Sequence, residues 1–422
     1  MDPAETTTPH KVKKISAANA LPLSPAYDEG REPVVYKLVL TGGPCAGKTT
    51  AWKKLRALFE EQGWKVYAVP EKATIFFQCG VKIGDLSKER SVQFQENMND
   101  MHLQIEKTFF ELAKGEGKNC LVLCDRGIMD LSVFMNEDWW EEYVSSRGLD
   151  LLQLRDGRYD QVLHLVTAAN GAEQYYGLST DSTIRNETAE QAFGLDQKLI
   201  EAWLGHPCYD IIDNSMSFDE KIRRTVEIVC TRLKKVTGTN VINDGHIKET
   251  VKRKFLIKGV PNFKEFPRIE EVMLEHIFLT SDSEQSLNRI EKRSGGNNGS
   301  YICTQTITSK GSDGVTTKNR LQLTTQQYEM LSQRQAKHHV VLRKLRRCFV
   351  WKWHQYYLDI FLDPKPERCR DLFLLSTYTS KLSSELELPT FLDIGQEVTE
   401  DKDYSLYKLS QCDHPTNYNI TY

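Results

Sequence analysis

The octapeptide Gly42-Gly43-Pro44-Cys45-Ala46-Gly47-Lys48-Thr49 constrains this chain more than any other stretch. It reads G-x-x-x-x-G-K-T. The apolar run Tyr36-Lys37-Leu38-Val39-Leu40 precedes it, and Trp52, Leu55 and Phe59 follow at helical spacing up to Gly63. Strand, glycine loop, helix is the order in which a backbone wraps a phosphate chain with its N–H groups pointing inward. Lys48 brings a point charge to the β- and γ-phosphates, and the Thr49 hydroxyl is a Mg²⁺ ligand. Residues 42–49 with Thr50 form the expected nucleotide-binding set, and Mg²⁺ with GTP or ATP is the expected cofactor.

A buried strand beside such a loop implies a sheet of similar strands. Candidates are Lys65–Val69, closed by Pro70; Cys120–Cys124, ending in Asp125; Val162–Val166; and Tyr209–Asp213. A helix is predicted from Met98, Met101, Ile105, Phe109 and Leu112, ending near Gly115. Another follows the capping box Ser217 and Glu220. Alternating strands and helices with continuous apolar strands mean an α/β fold with a doubly wound parallel sheet, here over residues 33–237. Residues 1–32 lack periodicity and are expected to be a disordered leader.

Beyond Gly238 the pattern changes to period two, in Lys252–Ile257, Ser300–Ser309 and Trp351–Phe361. This predicts a mainly antiparallel β-barrel domain over 246–410, with one helix after the capping box Thr324 and Gln327, a loop at 295–299, a hairpin turn at 311–314 and a tail from 411 to 422. From 246 to 370 there are 23 Lys and Arg against 13 Asp and Glu, whereas the whole chain of 422 residues carries a net charge of −3. That local excess points to an anionic ligand. Lys252 with Lys254, Arg289 with Arg293, and Lys344 with Arg346 share strand faces. Together with Lys310 they form the expected anion-binding set. Solvated outer faces are the alternative.

In the first domain a second Mg²⁺ ligand is needed at the end of a neighbouring strand, and Asp125 stands there. Arg126 is either a phosphate clamp or a structural ion-pair partner. Glu71 occupies a substrate-facing or base-like position, and Arg185 is a candidate lid arginine. Catalytic candidates are therefore Glu71, Arg126 and Arg185. No Asn-Lys-x-Asp guanine motif occurs, so Asn214, in the loop after the last strand, is the base-contact candidate by position. No run of eighteen apolar residues exists, and the start lacks a signal-peptide pattern. The ten scattered cysteines fit a reduced, cytosolic compartment, with Cys120 and Cys124 read as core packing.

The Asp125-Arg126 pair resembles P-loop nucleoside and nucleotide kinases. Val251-Lys252-Arg253-Lys254-Phe255-Leu256, Lys344-x-Arg346, Asp359 and Glu397-Val398-Thr399 resemble CYTH, or triphosphate-tunnel, domains. Thr250 and Lys252 stand where that family has glutamates, and Leu374-Leu375-Ser376-Thr377 replaces others. Metal-dependent triphosphate hydrolysis needs that carboxylate set. The departure therefore implies phosphate binding without triphosphatase cleavage, leaving at most slow hydrolysis at the P-loop. The pairing of the two domains is similar to the TRP and TRPL translocation defect family. That resemblance implies GTP over ATP, binding of phosphoinositides or other anionic lipid headgroups at endomembranes, and a cytoplasmic role in trafficking of ion channels or other membrane-protein cargo. It implies no nucleic-acid partner. The other functional reading is a P-loop small-molecule kinase.

Overall fold

Continuous apolar strands in the first half are explained by burial on both faces. The strands β1 (Val35–Thr41), β2 (Lys65–Val69), β3 (Cys120–Asp125), β4 (Gln161–Leu165) and β5 (Tyr209–Ile212) form one parallel sheet in the order β2-β3-β1-β4-β5. Helices α1 (Lys48–Glu61), α2 (Lys72–Gln78), α3 (Lys88–Gly115), α4 (Ile128–Ser132), α5 (Glu137–Ser146), α6 (Ala189–Ala202) and α7 (Phe218–Thr237) connect and cover it. In β1, Leu38 and Leu40 pack with Leu55, Phe59 and Val229 on one face. Val39 packs with Cys124, Ile128 and Trp203 on the other. An alternating strand has one such apolar face; a central parallel strand needs two. Capping boxes at Ser217 and Glu220 and at Thr188 and Gln191 start α7 and α6.

The computed structural model describes residues 33–176, 188–242, 249–281, 286–295, 299–310 and 316–412. Arg185, the leader 1–32, the predicted turn at 311–314 and most of the expected tail lie outside the described residues. So do residues 296–298 of the predicted loop.

The second half is β6 (Val251–Ile257), β7 (Glu270–Phe278), β8 (Ser286–Gly295), β9 (Tyr301–Lys310), β10 (Thr316–Leu323), α8 (Thr325–Ser332), β11 (Leu342–Trp351), β12 (His354–Phe361), β13 (Phe373–Thr379), β14 (Ile394–Glu397) and α9 (Leu406–Leu409). Its strands make one antiparallel sheet in the order β10-β9-β8-β7-β11-β12-β13-β6-β14. The expected helix after Thr324 is α8, with its capping box intact.

The expected barrel is not closed: among the described residues β10 and β14 are edges that do not pair with each other. The C-terminal half of α7 packs along β10 instead. Its Lys235 ammonium donates to the Thr250 carbonyl just ahead of β6. The Arg232 guanidinium sits 4.2 Å over the Tyr378 ring on β13. A helix laid beside an edge strand shields it without closure.

The two sheets belong to one compact unit, residues 33–422. A buried charge relay links them. Asp156 accepts from Arg155 Nε at 2.6 Å and from Arg293 Nε at 2.6 Å, while Arg155 also donates to Glu270 at 2.6 Å. Arg293 adds a bond to the Gly205 carbonyl. The Gln355 amide bridges the Gly205 N–H at 3.0 Å and the His206 carbonyl at 3.1 Å.

Candidate functional site

The carboxyl ends of β1 to β5 open into a cleft of about 1670 Å³, lined by residues 44–50, Glu71, Lys72, Asp125, Arg126, Asn214 and Lys221 among others. This is the switch point of the parallel sheet, where ligands of such folds bind. The loop conformation explains its glycines. Gly42 has φ of +133°, and a Cβ there would stand 2.0 Å from the Leu165 carbonyl oxygen. Gly47 has φ of +93°, with the Phe218 ring 2.8 Å from where a Cβ would lie. The Lys48 ammonium folds back on the loop, donating to the Gly42 and Gly43 carbonyls at 2.7 and 2.9 Å.

Two buried aspartates that no motif marks brace this loop. Asp196, on α6, accepts the Gly43 N–H at 2.6 Å, meets His164 Nε2 at 3.0 Å and accepts the Thr167 N–H at 3.3 Å. Asp130, on α4, accepts from the Thr41 hydroxyl at 2.6 Å, from the Trp203 indole at 2.7 Å and from the Gly127 N–H at 3.0 Å. Asp196 locks backbone N–H groups from distant parts of the chain, and Asp130 ties its own turn at Gly127 to distant side chains, so only long-range pairing reveals these contacts.

Asp125 and Thr49 line the same cleft. Asp125 Oδ1 is buried without a hydrogen-bond partner. Burial raises its pKa, against the opposing charge of Lys48. An orphaned carboxylate oxygen in the cleft that the Thr49 hydroxyl also lines suits a hard divalent cation. These two residues would hold Mg²⁺ with the nucleotide phosphates, where the ion offsets phosphate charge. Glu71 and Arg126 are brought together: Arg126 Nε donates to Glu71 at 2.6 Å. Burial works to raise the Glu71 pKa, but the guanidinium prevails and holds it below the ordinary carboxylate range. Arg126 itself has φ of 67°, a left-handed backbone that a bulky residue adopts only at some cost.

Across the loop, Asn214 lines the cleft with its side chain engaged internally. Its amide donates to the Thr167 and Asn170 carbonyls at 2.8 and 2.6 Å, and its carbonyl accepts from Lys221 at 2.6 Å. Burial brings the Lys221 pKa down to about 8. Asn214 therefore shapes the loop after β5 with hydrogen bonds of its own.

The second set of cations lies on the sheet of the second half. Register and alternation put Lys252 and Lys254 of β6, Lys344 and Arg346 of β11, and Arg289 of β8 on one face. Lys318 and Arg320 of β10, absent from the expected set, share it. Asp359 takes up two of these cations, pairing with Lys344 at 2.7 Å and with Arg346 at 2.7 and 2.9 Å. That pair of ion contacts keeps Asp359 ionised, far below the ordinary range. Glu291 is shared at longer range by Arg289 at 3.6 Å and Arg320 at 3.7 Å. Arg289 Nε is buried without a hydrogen-bond partner. Burial and the neighbouring Arg346, Lys254 and Arg289 depress the Lys252 pKa to about 7, with Asp359 opposing.

Two further expected members start from the same face by register. Arg293 starts from the same strand face, yet its guanidinium is consumed by Asp156 and Gly205 at the contact between the sheets. Lys310 is exposed at the end of β9.

Residues 37–221 match the family model described as an AAA domain. That match supports a P-loop nucleotide-binding domain. No curated protein sequence matches the chain. Similar solved structures include a crystal structure of the inorganic triphosphatase NE1496, 22% identical, spanning 39% of this chain and 97% of that one, with a TM-score of 0.29. A further structure, titled as the hypothetical protein NE1496, is 23% identical over 38% of this chain and 97% of that one, TM-score 0.28. The PH1819 protein from Pyrococcus horikoshii OT3 is 17% identical over 32% and 81%, TM-score 0.23. Likeness at this level assigns no activity here. No helix among the described residues is long and apolar enough to cross a membrane.

Proposed function

We propose that this chain binds Mg²⁺ with a nucleoside triphosphate at the P-loop and clusters of phosphates on the cationic face of its second sheet, acting as a nucleotide-dependent regulator. The observation that carries the nucleotide half is the braced loop of residues 42–49, whose residues 44–49 line one cleft together with Asp125, a carboxylate with an orphaned oxygen. The second half is supported by Lys252, Lys254, Arg289, Lys318 and Arg320 converging with few carboxylates between them. Clustered cations favour ligands that present several phosphates at once.

The finer reading is that GTP is preferred over ATP, that the clustered phosphates belong to phosphoinositides or other anionic headgroups of endomembranes, and that the coupled sites serve membrane-protein trafficking from the cytoplasm. It rests on the resemblance of the two-part chain. Hydrolysis at the P-loop is expected to be slow. The sheet is expected not to cleave triphosphates, because Thr250 and Lys252 stand in place of carboxylates.

The test uses the full chain. Calorimetry with GTP and ATP, with and without Mg²⁺, should give tighter binding with the metal, and Asp125→Asn should erase that difference. Vesicles of phosphatidylcholine should capture the protein only when a phosphoinositide is included. Double reversal at Lys252 and Arg320 to Glu should abolish capture and leave nucleotide affinity unchanged. Equal capture by neutral vesicles would reject the headgroup reading. Tight inositol phosphate binding without vesicle capture would point to a soluble ligand.

A further inference from the structure

The second sheet is open, and the helix beside its opening begins at the nucleotide cleft. The sheet ends on β10 at one side and on β6 with the short β14 at the other. These ends carry four of its cations, Lys318 and Arg320 on β10 and Lys252 and Lys254 on β6. In a closed barrel, strand pairing would fix the distance between such strands. Here the contact runs through α7 instead. It packs against β10, and its Lys235 ammonium donates to the Thr250 carbonyl, one residue ahead of β6. Arg224 donates to the Ser380 hydroxyl just after β13, and Arg232 lies 4.2 Å over the ring of Tyr378, the register partner of Lys252. Burial lowers the pKa of Lys254 and of Lys235, and the positive charge of Lys318 adds to the lowering in both. Like charges on β6, α7 and β10 therefore stand near one another.

The other end of α7 belongs to the cleft, which Ser217, Phe218 and Lys221 line. The Phe218 ring packs against Gly47 of the phosphate loop. The Lys221 ammonium donates to the Val166 carbonyl at 2.7 Å and to the Asn214 side chain at 2.6 Å. A helix of 20 residues spans about 30 Å. Between its ends Ile222, Val229 and Leu233 are buried in the core of the parallel sheet, and a close-packed interior transmits strain rather than absorbing it. Helices in such switches shift by about 1–2 Å.

We propose that α7 couples the two sites: a triphosphate seated on the phosphate loop displaces the first turn of the helix, and the displacement resets the gap between β6 and β10. That gap decides how closely Lys252, Lys254, Lys318 and Arg320 converge on one polyanion. The proposal rests on the two-site reading and adds the element through which the sites communicate. Reciprocity follows, because a polyanion that selects one gap changes triphosphate affinity by the same factor.

The full chain is first titrated separately with non-hydrolysable GTP and ATP analogues in Mg²⁺, and with a polysulfated inositol at the same free Mg²⁺. Failure of both triphosphates, or of the inositol, overturns the two-site reading. Each titration is then repeated with the other ligand saturating. The two affinities should change in the same direction by an equal factor of about five or more, and stop changing once the second ligand saturates. Affinity that keeps falling with competitor concentration means one shared site and overturns the two-site reading. Affinities that do not respond overturn the coupling alone. Arg224→Met with Lys235→Met cuts the ties of α7 to β13 and β6 while leaving Arg232 on Asp210. It should reduce the factor to below about twofold. A change in baseline polyanion affinity cannot imitate that, because the factor is a ratio within one protein. A double variant that keeps the full factor overturns the role of α7. If it does not fold, Phe218→Ala replaces it: that side chain is 51% exposed, so the core is spared, and a full factor there is equally fatal. Amide hydrogen exchange provides a reading without polyanion. The triphosphate analogue should change exchange in α7, in β10 and at the start of β6, and a change confined to the cleft overturns the proposal.

Discussion

The P-loop cleft and the cationic sheet face both gather charge, but they organise it differently. In the cleft, backbone does most of the work. Glycines allow the loop, Asp196 and Asp130 brace its flanks, and a few side chains remain unpartnered, among them Asp125 Oδ1 and Lys72. On the sheet, side chains do the work, and they partly neutralise one another through Asp359 and Glu291. A site built from backbone is intolerant of single changes. A site built from several like charges loses affinity in increments.

The largest expected effect lies at the contact that holds the two regions together. Asp156→Ala leaves Arg293 buried without its carboxylate and Arg155 with Glu270 alone. Removing one partner of a buried ion pair typically costs about 3–5 kcal/mol. Urea unfolding monitored by tryptophan fluorescence and by far-ultraviolet dichroism should show that loss, with the two probes coincident in the wild type. Separate transitions in the wild type would mean that the regions are independent bodies, and the comparison would then concern two proteins on one string.

Next comes Lys48→Ala, expected to cost about 2–4 kcal/mol of triphosphate affinity, the scale of a lost desolvated charge contact. Calorimetry with inositol hexakisphosphate should meanwhile show the sheet unaffected. A fall in both affinities would mean that the phosphates compete for one site.

Legibility in the sequence follows the same division. The glycine loop was readable because backbone conformation is local: Gly42 and Gly47 must be glycine whatever surrounds them. Strands β1 to β5 were readable because apolar runs register two-sided burial. The capping boxes of α7 and α8 were equally local. The partners were not readable. Arg289 and Arg293 look equivalent at period two, yet only Arg293 reaches Asp156, some 137 positions away in the chain. Arg320 joins the cationic face through the pairing of β10 with β9, which alternation alone does not specify. Closure failed for a related reason: α7, which starts at the nucleotide cleft, lies along β10, and no pattern within the β segment announces a helix from the other half.

Within the sheet face the comparison sharpens between Arg320, absent from the expected set, and Lys310, a member of it. Arg320→Ala should lower the affinity for phosphoinositide vesicles by about 1 kcal/mol, the worth of one cation near an anionic surface. Lys310→Ala, at the exposed end of β9, should change it by less than half of that. Sedimentation with vesicles at low salt measures both, and the Arg320 effect should shrink as salt is raised. Equal losses would mean that a diffuse field, and no built pocket, attracts the membrane.

The smallest effect is a pH dependence that the cleft should lack. Burial among Arg346, Lys254 and Arg289 brings Lys252 down to about 7, so it is largely neutral above that pH and charged below it. An anion on the sheet face favours the charged form, so affinity must rise as pH falls from about 8 to about 6, by roughly fivefold if that charge contributes about 1 kcal/mol. Phosphates gain protons over the same range, with a second pKa of about 6, which would blur the reading. A polysulfated inositol keeps a constant charge and is the better probe. Lys252→Arg holds its charge at every pH in the range, so it should bind the sulfated probe equally at both ends and match the wild type at the acid end. A flat profile in the wild type would show that Lys252 is ordinarily charged and does not face the ligand. A slope that persists in Lys252→Arg would move the titration to Lys344 on the same face, which burial brings down to about 7 against the opposing charge of Asp359.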